Sequence, residues 1–290
     1  LMKRERSNLL KLLLALNKRM YFDDALFWEV NHYELGYQYE CSTDELFEKG
    51  DWLMIKGLSL TDKGKFLVQM DLLVLTGDKL LLYEEKAYSQ PANDCQDGTI
   101  EFSAGGKRYT HPLEQVKDAH RKLEHVLKGL DIPLEVESYA LLTHPNCYIY
   151  NLPAWTKNLL IQSQIEKHID EQMKKRQTPT SLTKVYQEKL LALHHDISEY
   201  NSIVPEYNYN KLQKIVKCPQ CFGVIDQIPK SKQHMTCPWC KDKIIIANIV
   251  RMAFDDYKIL FNQKPTAAEM YHWCGGIFSK IRIQKILYEK

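Results

Sequence analysis

The sequence predicts an α/β chain with a central sheet covered on both faces, followed by a small cysteine-based module and a helical C-terminal module. Three observations carry this reading. Met70 to Leu75 and Leu80 to Tyr83 are unbroken apolar runs of strand length, and such runs belong in a sheet buried on both sides. Apolar residues at helical spacing flank them, with Leu9, Leu10, Leu12, Leu13, Leu16 and Met20 before and Leu113, Val116, Leu123 and Val126 after. Beyond residue 210, two Cys-x-x-Cys pairs introduce a pattern of a different kind.

The two strands are joined by Thr76-Gly77-Asp78-Lys79, residues that tolerate positive φ in a tight turn. A turn centred on Gly77-Asp78 pairs Leu75 with Leu80, Asp71 with Glu84 and Gln69 with Lys86. Alternation then puts Gln69, Asp71, Glu84 and Lys86 on one face and Met70, Leu72, Val74, Leu81, Tyr83 and Glu85 on the other. Directly opposed carboxylates lie about 5 Å apart and repel, so the pair is unfavourable unless a cation sits between them. Hard cations such as Mg²⁺ take carboxylate oxygens and keep several waters, and two acids beside a lysine make a hydrolytic set. The alternative is a solvated face with a cross-strand ion pair, but the apolar runs argue that both faces are covered, and charge buried in a sheet needs a reason.

Asp71, followed thirteen residues later by Glu84-Glu85-Lys86, resembles the acid and D/E-x-K element of the PD-(D/E)xK nuclease superfamily. More narrowly, Gln69-x-Asp71-Leu-Leu-x-Leu75, a turn, a strand ending in Glu84-x-Lys86 and an aromatic at Tyr88 resemble the nuclease-related (NERD) domain. The resemblance implies a restriction-endonuclease-like core, with a mixed central sheet flanked by helices, over residues 36–150. It also implies that Asp71 and Glu84 bind one or two Mg²⁺ or Mn²⁺, with the Glu85 carbonyl as a further ligand, and that Lys86 positions or deprotonates water. Two further positions follow from it. Gly36, Tyr37 and Glu40 match a Gly-Tyr-x-Gly-Glu element that opens a helix and turns its glutamate to the metal, although Tyr39 stands where the family favours glycine. Gln115 matches the glutamine of an Asn-Pro-x-x-Gln element, with His111 in place of the asparagine. An exposed helical glutamate and a surface glutamine are the plain alternatives for these two.

Composition fits an ordinary soluble protein of 290 residues with room for a core domain and small appendages. Net charge is +2, yet residues from Lys211 onward hold fourteen Lys/Arg against six Asp/Glu, a surplus of +8 that leaves −6 for residues 1–210. A polyanion is expected to land on the basic end. Four of the eight cysteines are scattered, which suits a reducing, cytoplasmic compartment better than a disulfide framework. The leucine run from Leu9 to Leu16 is short, is interrupted by Lys11 and lacks a small-residue cleavage site, so it reads as a packing helix and not a signal peptide. No stretch is long enough to span a membrane, and no membrane partner is expected.

Taken in order, residues 1–35 read as an N-terminal helical segment. Trp52 to Ile55 is a candidate first strand, and Thr61-Asp62-Lys63-Gly64 a turn into the hairpin. Ile100 to Tyr109 reads as a peripheral hairpin turning at Gly105-Gly106, His111-Pro112 starts a helix, and Leu134 to Leu142 is a further buried strand. Residues 151–210 read as a charged helical spacer, broken at Thr178-Pro179-Thr180, and a linker rich in Tyr, Asn and Pro.

The strongest motif lies in residues 211–246. Cys218-Pro-Gln-Cys221 and Cys237-Pro-Trp-Cys240 are separated by fifteen residues, the spacing at which a zinc ribbon gathers four thiolates. A closed Cys₄ set leaves no open position, so Zn²⁺ there is structural. A redox pair is the alternative, and the doubling of the knuckle argues against it. Residues 247–290 resemble a helix-turn-helix: Met270 and Trp273 on one helix, Gly275-Gly276 at a turn one residue longer than usual, and Ile283, Ile286 and Leu287 on the next. Lys280, Arg282, Gln284 and Lys285 then face outward as candidate DNA contacts. A helical hairpin used for homodimerisation is the alternative.

The resulting expectation is a metal-dependent DNA endonuclease whose ribbon and tail hold the substrate. An inactive DNA-binding regulator or adaptor built from the same modules is the competing one, set against it by the retention of Asp71, Glu84 and Lys86 together. RNA is not excluded as substrate, because phosphate contacts carry little information about the sugar.

Overall fold

A computed structural model of the chain describes residues 4–62, 65–103, 105–153, 156–195, 204–229 and 232–288. The chain divides into two units, one of residues 1–5 with 32–200 and one of residues 6–31 with 201–290. Helix α1 spans Asn8–Leu16 and α2 spans Asp24–Phe47.

In the first unit, strands β1 (Leu53–Asp62), β2 (Lys65–Leu75) and β3 (Lys79–Lys86) form an antiparallel meander. Strands β4 (Ala92–Asp94), β5 (Thr99–Phe102) and β6 (Arg108–Thr110) follow, then α3 (Pro112–Gly129), β7 (Glu135–Leu142) and β8 (Ile149–Tyr150). Last come β9 (Leu159–Ile161), α4 (Gln162–Lys175) and α5 (Ser181–Leu191). The main sheet has the order β1-β2-β3-β7-β9 and is mixed, since β3, β7 and β9 run parallel. Parallel neighbours need a crossover, and α3 supplies it between β3 and β7. A smaller sheet, β6-β5-β4-β8, contains the expected peripheral hairpin.

Both faces of the main sheet are covered. Leu73, Leu75, Leu80 and Leu82 pack with Ala119, Leu123 and Leu127 of α3 and with Tyr186 and Leu190 of α5. On the other face, Leu72, Val74, Leu81 and Tyr83 pack with Phe47 of α2 and with Ile165 and Ile169 of α4. Thus the 151–210 segment is not a solvated spacer through its first part: β9 is the fifth strand, and α4 and α5 carry apolar residues into the two cores. Their many charges lie on the outward sides of amphipathic helices, which is why they read as solvated.

Three local features differ from strict alternation and turn chemistry. The β1–β2 register runs from Leu53–Leu75 to Lys56–Leu72 and resumes at Leu58–Met70, leaving Gly57 and Asp71 out of the ladder. Across that gap the faces change over, so Met70 and Val68 share a core with Leu73 and Leu75, not with Leu72 and Val74. At the hairpin turn, Gly77 and Asp78 are not among the positive-φ residues. Glycine serves close approach there, because a Cβ on Gly77 would lie 2.5 Å from the Thr178 carbonyl oxygen, and Gly77 N–H donates to Gln177 O at 2.6 Å. Finally, helix α2 runs from Asp24 well past residue 35, so Gly36 is interior to a helix and does not open one. The expected turn at 61–64 includes residues 63 and 64, which lie outside the described residues.

In the second unit, β10 (Val216–Lys217) pairs with β11 (Val224–Ile225), and β12 (His234–Thr236) with β13 (Lys243–Ile245). Helices α6 (Ile246–Phe261), α7 (Ala267–Trp273) and α8 (Lys280–Leu287) complete it. Ala15 and Leu16 of α1 share a core with Ile249, Val250, Ala253, Trp273 and Ile283. Tyr207 and Tyr209, which read from sequence as linker, pack against this core, Tyr209 stacking on Trp273 with centroids 5.9 Å apart. Arg19 is fully buried, 3.8 Å over the Trp273 ring and 3.3 Å from Asp256, and Lys217 reaches the same carboxylate at 3.1 Å. Among the described residues, no helix is long and apolar enough to cross a membrane.

Candidate active site

Four of the residues singled out from sequence converge at the gap in the sheet. The β2–β3 ladder runs from Leu75–Leu80 to Leu72–Tyr83, in the expected register. Beyond it β2 continues on β1 and β3 on β7, and the next positions on the two strands are Asp71 and Glu84. The Asp71 carboxylate accepts the Glu85 backbone N–H through Oδ2 at 2.7 Å, which fixes its direction. Lys86 Nζ lies 3.9 Å from Glu84 Oε2. Glu40 comes from α2, one turn before Asp44, so both carboxylates project from one side of that helix.

Electrostatics at the site follow from crowding carboxylates in a poorly hydrated place. Burial raises the Glu40 carboxyl to about 7, the Asp71 charge adding to the effect and Arg4 opposing it. Burial and then the Asp71 charge push Glu84 well above the usual carboxylate range, with Lys86 pulling the other way. Glu85 is raised by burial as well, against the pull of Arg4. Burial opposes the charge on Lys86, but Asp71 and Glu84 win and hold the ammonium above its ordinary value. Among the described residues, Glu84 Oε1 and both Glu85 carboxylate oxygens are buried without a hydrogen-bond partner. An unpaired buried acceptor is costly, and the raised pKa values of Glu84 and Glu85 favour their neutral forms.

Three contributors were not read from the sequence. Arg4 is buried and donates from Nε and Nη2 to the two Asp44 oxygens at 2.9 and 3.0 Å, from Nη1 to Glu40 at 2.7 Å, and from Nη2 to the Asp71 carbonyl at 2.7 Å. Lys56 bridges Asp44 at 3.6 Å and Glu48 at 2.7 Å. Gly57, at φ +66°, stands opposite Asp71. Only the glycine left a trace in sequence, as an isolated Gly inside a strand pattern, the usual mark of a bulge or close approach. Arg4 left none, because its partners lie 36 to 67 residues away.

Gln115 is half-buried at the start of α3, and among the described residues its side chain makes no hydrogen bond, so it is not tied to the acids. His111 caps that helix, its Nδ1 accepting the Leu113 N–H at 3.0 Å.

In the second unit, the Sγ atoms of Cys218, Cys221, Cys237 and Cys240 all lie within 4.8 Å of one another, a group that could hold a metal ion. Among the described residues, no other set of three or more Cys, His, Asp or Glu converges so closely. The two knuckles are built alike. Gln220 N–H and Trp239 N–H point to Cys218 and Cys237 Sγ at 3.3 and 3.4 Å, and Phe222 and Lys241, each following a knuckle, take positive φ. In the tail, Lys280, Gln284 and Lys285 are exposed on α8, whereas the Arg282 guanidinium donates to the Pro229 and Lys232 carbonyls.

The family model described as nuclease-related domain matches residues 35–143. The chain contains a nuclease-related domain. The match takes in Glu40, Asp71, Glu84, Glu85, Lys86 and Gln115, and it leaves Arg4, β9, α4 and α5 outside. No curated protein and no solved structure matches the chain. The matched span holds β1, β2, β3 and β7 of the mixed sheet and the acids at its gap, and the four-cysteine cluster lies outside it.

Proposed function

We propose that the chain is a divalent-metal-dependent endonuclease that hydrolyses DNA phosphodiester bonds. The observation that carries this reading is the pair Asp71 and Glu84 at the point where β2 and β3 part, with Lys86 beside it and a buried Glu84 oxygen unpartnered. Those two carboxylates are the residues that would hold Mg²⁺ or Mn²⁺, with the Glu85 carbonyl as a third oxygen, and oxygen donors of this kind suit hard cations. A bound ion of this class supplies an activated water and offsets charge on the phosphate.

The chain's own groups do the rest. The Glu85 N–H orients Asp71. Lys86, kept protonated by its neighbours, neutralises a phosphate oxygen and orients the attacking water. Glu40 lies among the same charges and completes the acidic wall, and Gln115 offers an amide to phosphate or water. Zn²⁺ in the four thiolates would be structural, holding two small hairpins that have little core of their own. The basic second unit would hold the substrate, with Lys280, Gln284 and Lys285 meeting phosphates. Arg282 would serve by holding Pro229 and Lys232 to α8.

The test is cleavage of supercoiled plasmid by wild type, Glu84→Ala and Lys86→Ala, each with Mg²⁺, Mn²⁺ or EDTA and with an RNA substrate in parallel. Metal-dependent cutting that falls by a factor of about 10² or more in both variants is expected. Wild type that binds DNA and never cuts it, with any metal, supports the regulator reading instead.

A further inference from the structure

We propose that Arg4 is a positioning residue for the acid site, an inference that rests on the nuclease reading. Its side chain is 4 % exposed and all three of its nitrogens donate: Nε and Nη2 to Asp44, Nη1 to Glu40 and Nη2 to the Asp71 carbonyl. The last contact falls where β1 and β2 each leave one residue, Gly57 and Asp71, out of the ladder. There the Asp71 carbonyl has no Gly57 partner in the ladder, and Arg4 supplies the donor. Gly57 serves by its backbone, since its φ of +66° is what side chains rarely adopt, whereas a Cβ there would meet Arg4 Nη1 at 3.7 Å, an ordinary contact.

The consequence is geometric. With its carbonyl held by Arg4 and its carboxylate by Glu85 N–H, the Asp71 residue is clamped on both sides of its Cα. The same guanidinium sets Glu40 relative to Asp71, so one side chain fixes two of the acids that stand around Lys86. Planarity matters here. A lysine carries the charge but has no rigid fork, and it cannot meet a bidentate carboxylate, a second carboxylate and a carbonyl together. The inference concerns residue 4, which lies outside the 35–143 span of the nuclease-related domain.

The experiment compares wild type, Arg4→Lys and Arg4→Ala by Mn²⁺ titration followed by electron paramagnetic resonance, and by plasmid cleavage. Methylguanidinium is added back to Arg4→Ala. Arg4→Lys keeps a buried cation against Asp44 and Glu40, so it is the variant that stays folded, as circular dichroism checks. Loss of a group that orients metal ligands typically costs about 10 to 100-fold in metal affinity or activity, and Arg4→Lys is expected to lose that much in both Mn²⁺ affinity and kcat. Recovery of Mn²⁺ binding by Arg4→Ala with methylguanidinium, but not with ammonium, is expected alongside. A folded Arg4→Lys that binds Mn²⁺ and cuts within twofold of wild type overturns the role of Arg4 and leaves the nuclease reading intact. Wild type that neither binds Mn²⁺ at the acids nor cuts refutes the nuclease reading itself.

Discussion

Asp71 shows how much of a site is decided by groups that carry no chemistry of their own. Its orientation depends on Gly57, whose φ of +66° leaves Asp71 outside the ladder and open to Arg4. A side chain at φ near +60° costs about 1–2 kcal/mol, so Gly57→Ala is expected to lower stability by that amount in chemical denaturation. An unchanged unfolding midpoint would mean that the backbone at residue 57 relaxes freely. The sequence made Asp71, Glu84 and Lys86 legible because spacing across a hairpin is a local property. It placed Glu40 near them only through the resemblance. Arg4 and Lys56 were not legible, since a lone basic residue gives no sign of which distant carboxylate it will meet.

At the scale of elements, the apolar runs gave the buried sheet correctly, and the period-two rule failed within β2, where a gap in pairing at Asp71 reverses the faces and the register shifts again between Val68 and Phe66. Short strand β9 was missed because three residues carry too little pattern to be seen against the helices that follow. The contact between α4 and the sheet carries a titratable group. His168 of α4 accepts or donates at 3.0 Å with the Tyr83 hydroxyl of β3 and packs on Tyr139, with Glu137, Glu171, Lys175 and Arg176 around it. Burial lowers its pKa from 6.5 to about 4, the cations Lys175 and Arg176 adding to this and Glu171 and Glu137 opposing it. The unfolded chain therefore takes up the proton first. This contribution to stability is intact above pH 6.5 and is lost as pH falls from 6.5 toward 4. Melting temperature measured across that window is expected to fall less steeply for His168→Gln than for wild type. Parallel curves would show that the ring ionises without resistance from the fold.

For the whole molecule, the charge asymmetry and the four-cysteine spacing alone divide the chain into an acidic, chemistry-bearing part and a basic, thiol-bearing part. What they leave hidden is that residues 6–31 belong with residues 201–290. That membership is held by contacts such as Arg19 with Asp256, a separation of 237 positions that no periodicity records. The two parts carry two donor sets of opposite character, carboxylates with a lysine in one and four thiolates in the other. Soft and hard cations should sort between them. The most direct measurement is anomalous diffraction at the Mn and Zn edges from crystals soaked in Mn²⁺. A Mn peak bounded by Asp71 and Glu84 beside Lys86, with Zn confined to Cys218, Cys221, Cys237 and Cys240, is the expected result. Full occupancy of the thiol site with no Mn at Asp71 and Glu84 would contradict a catalytic metal in this nuclease-related domain.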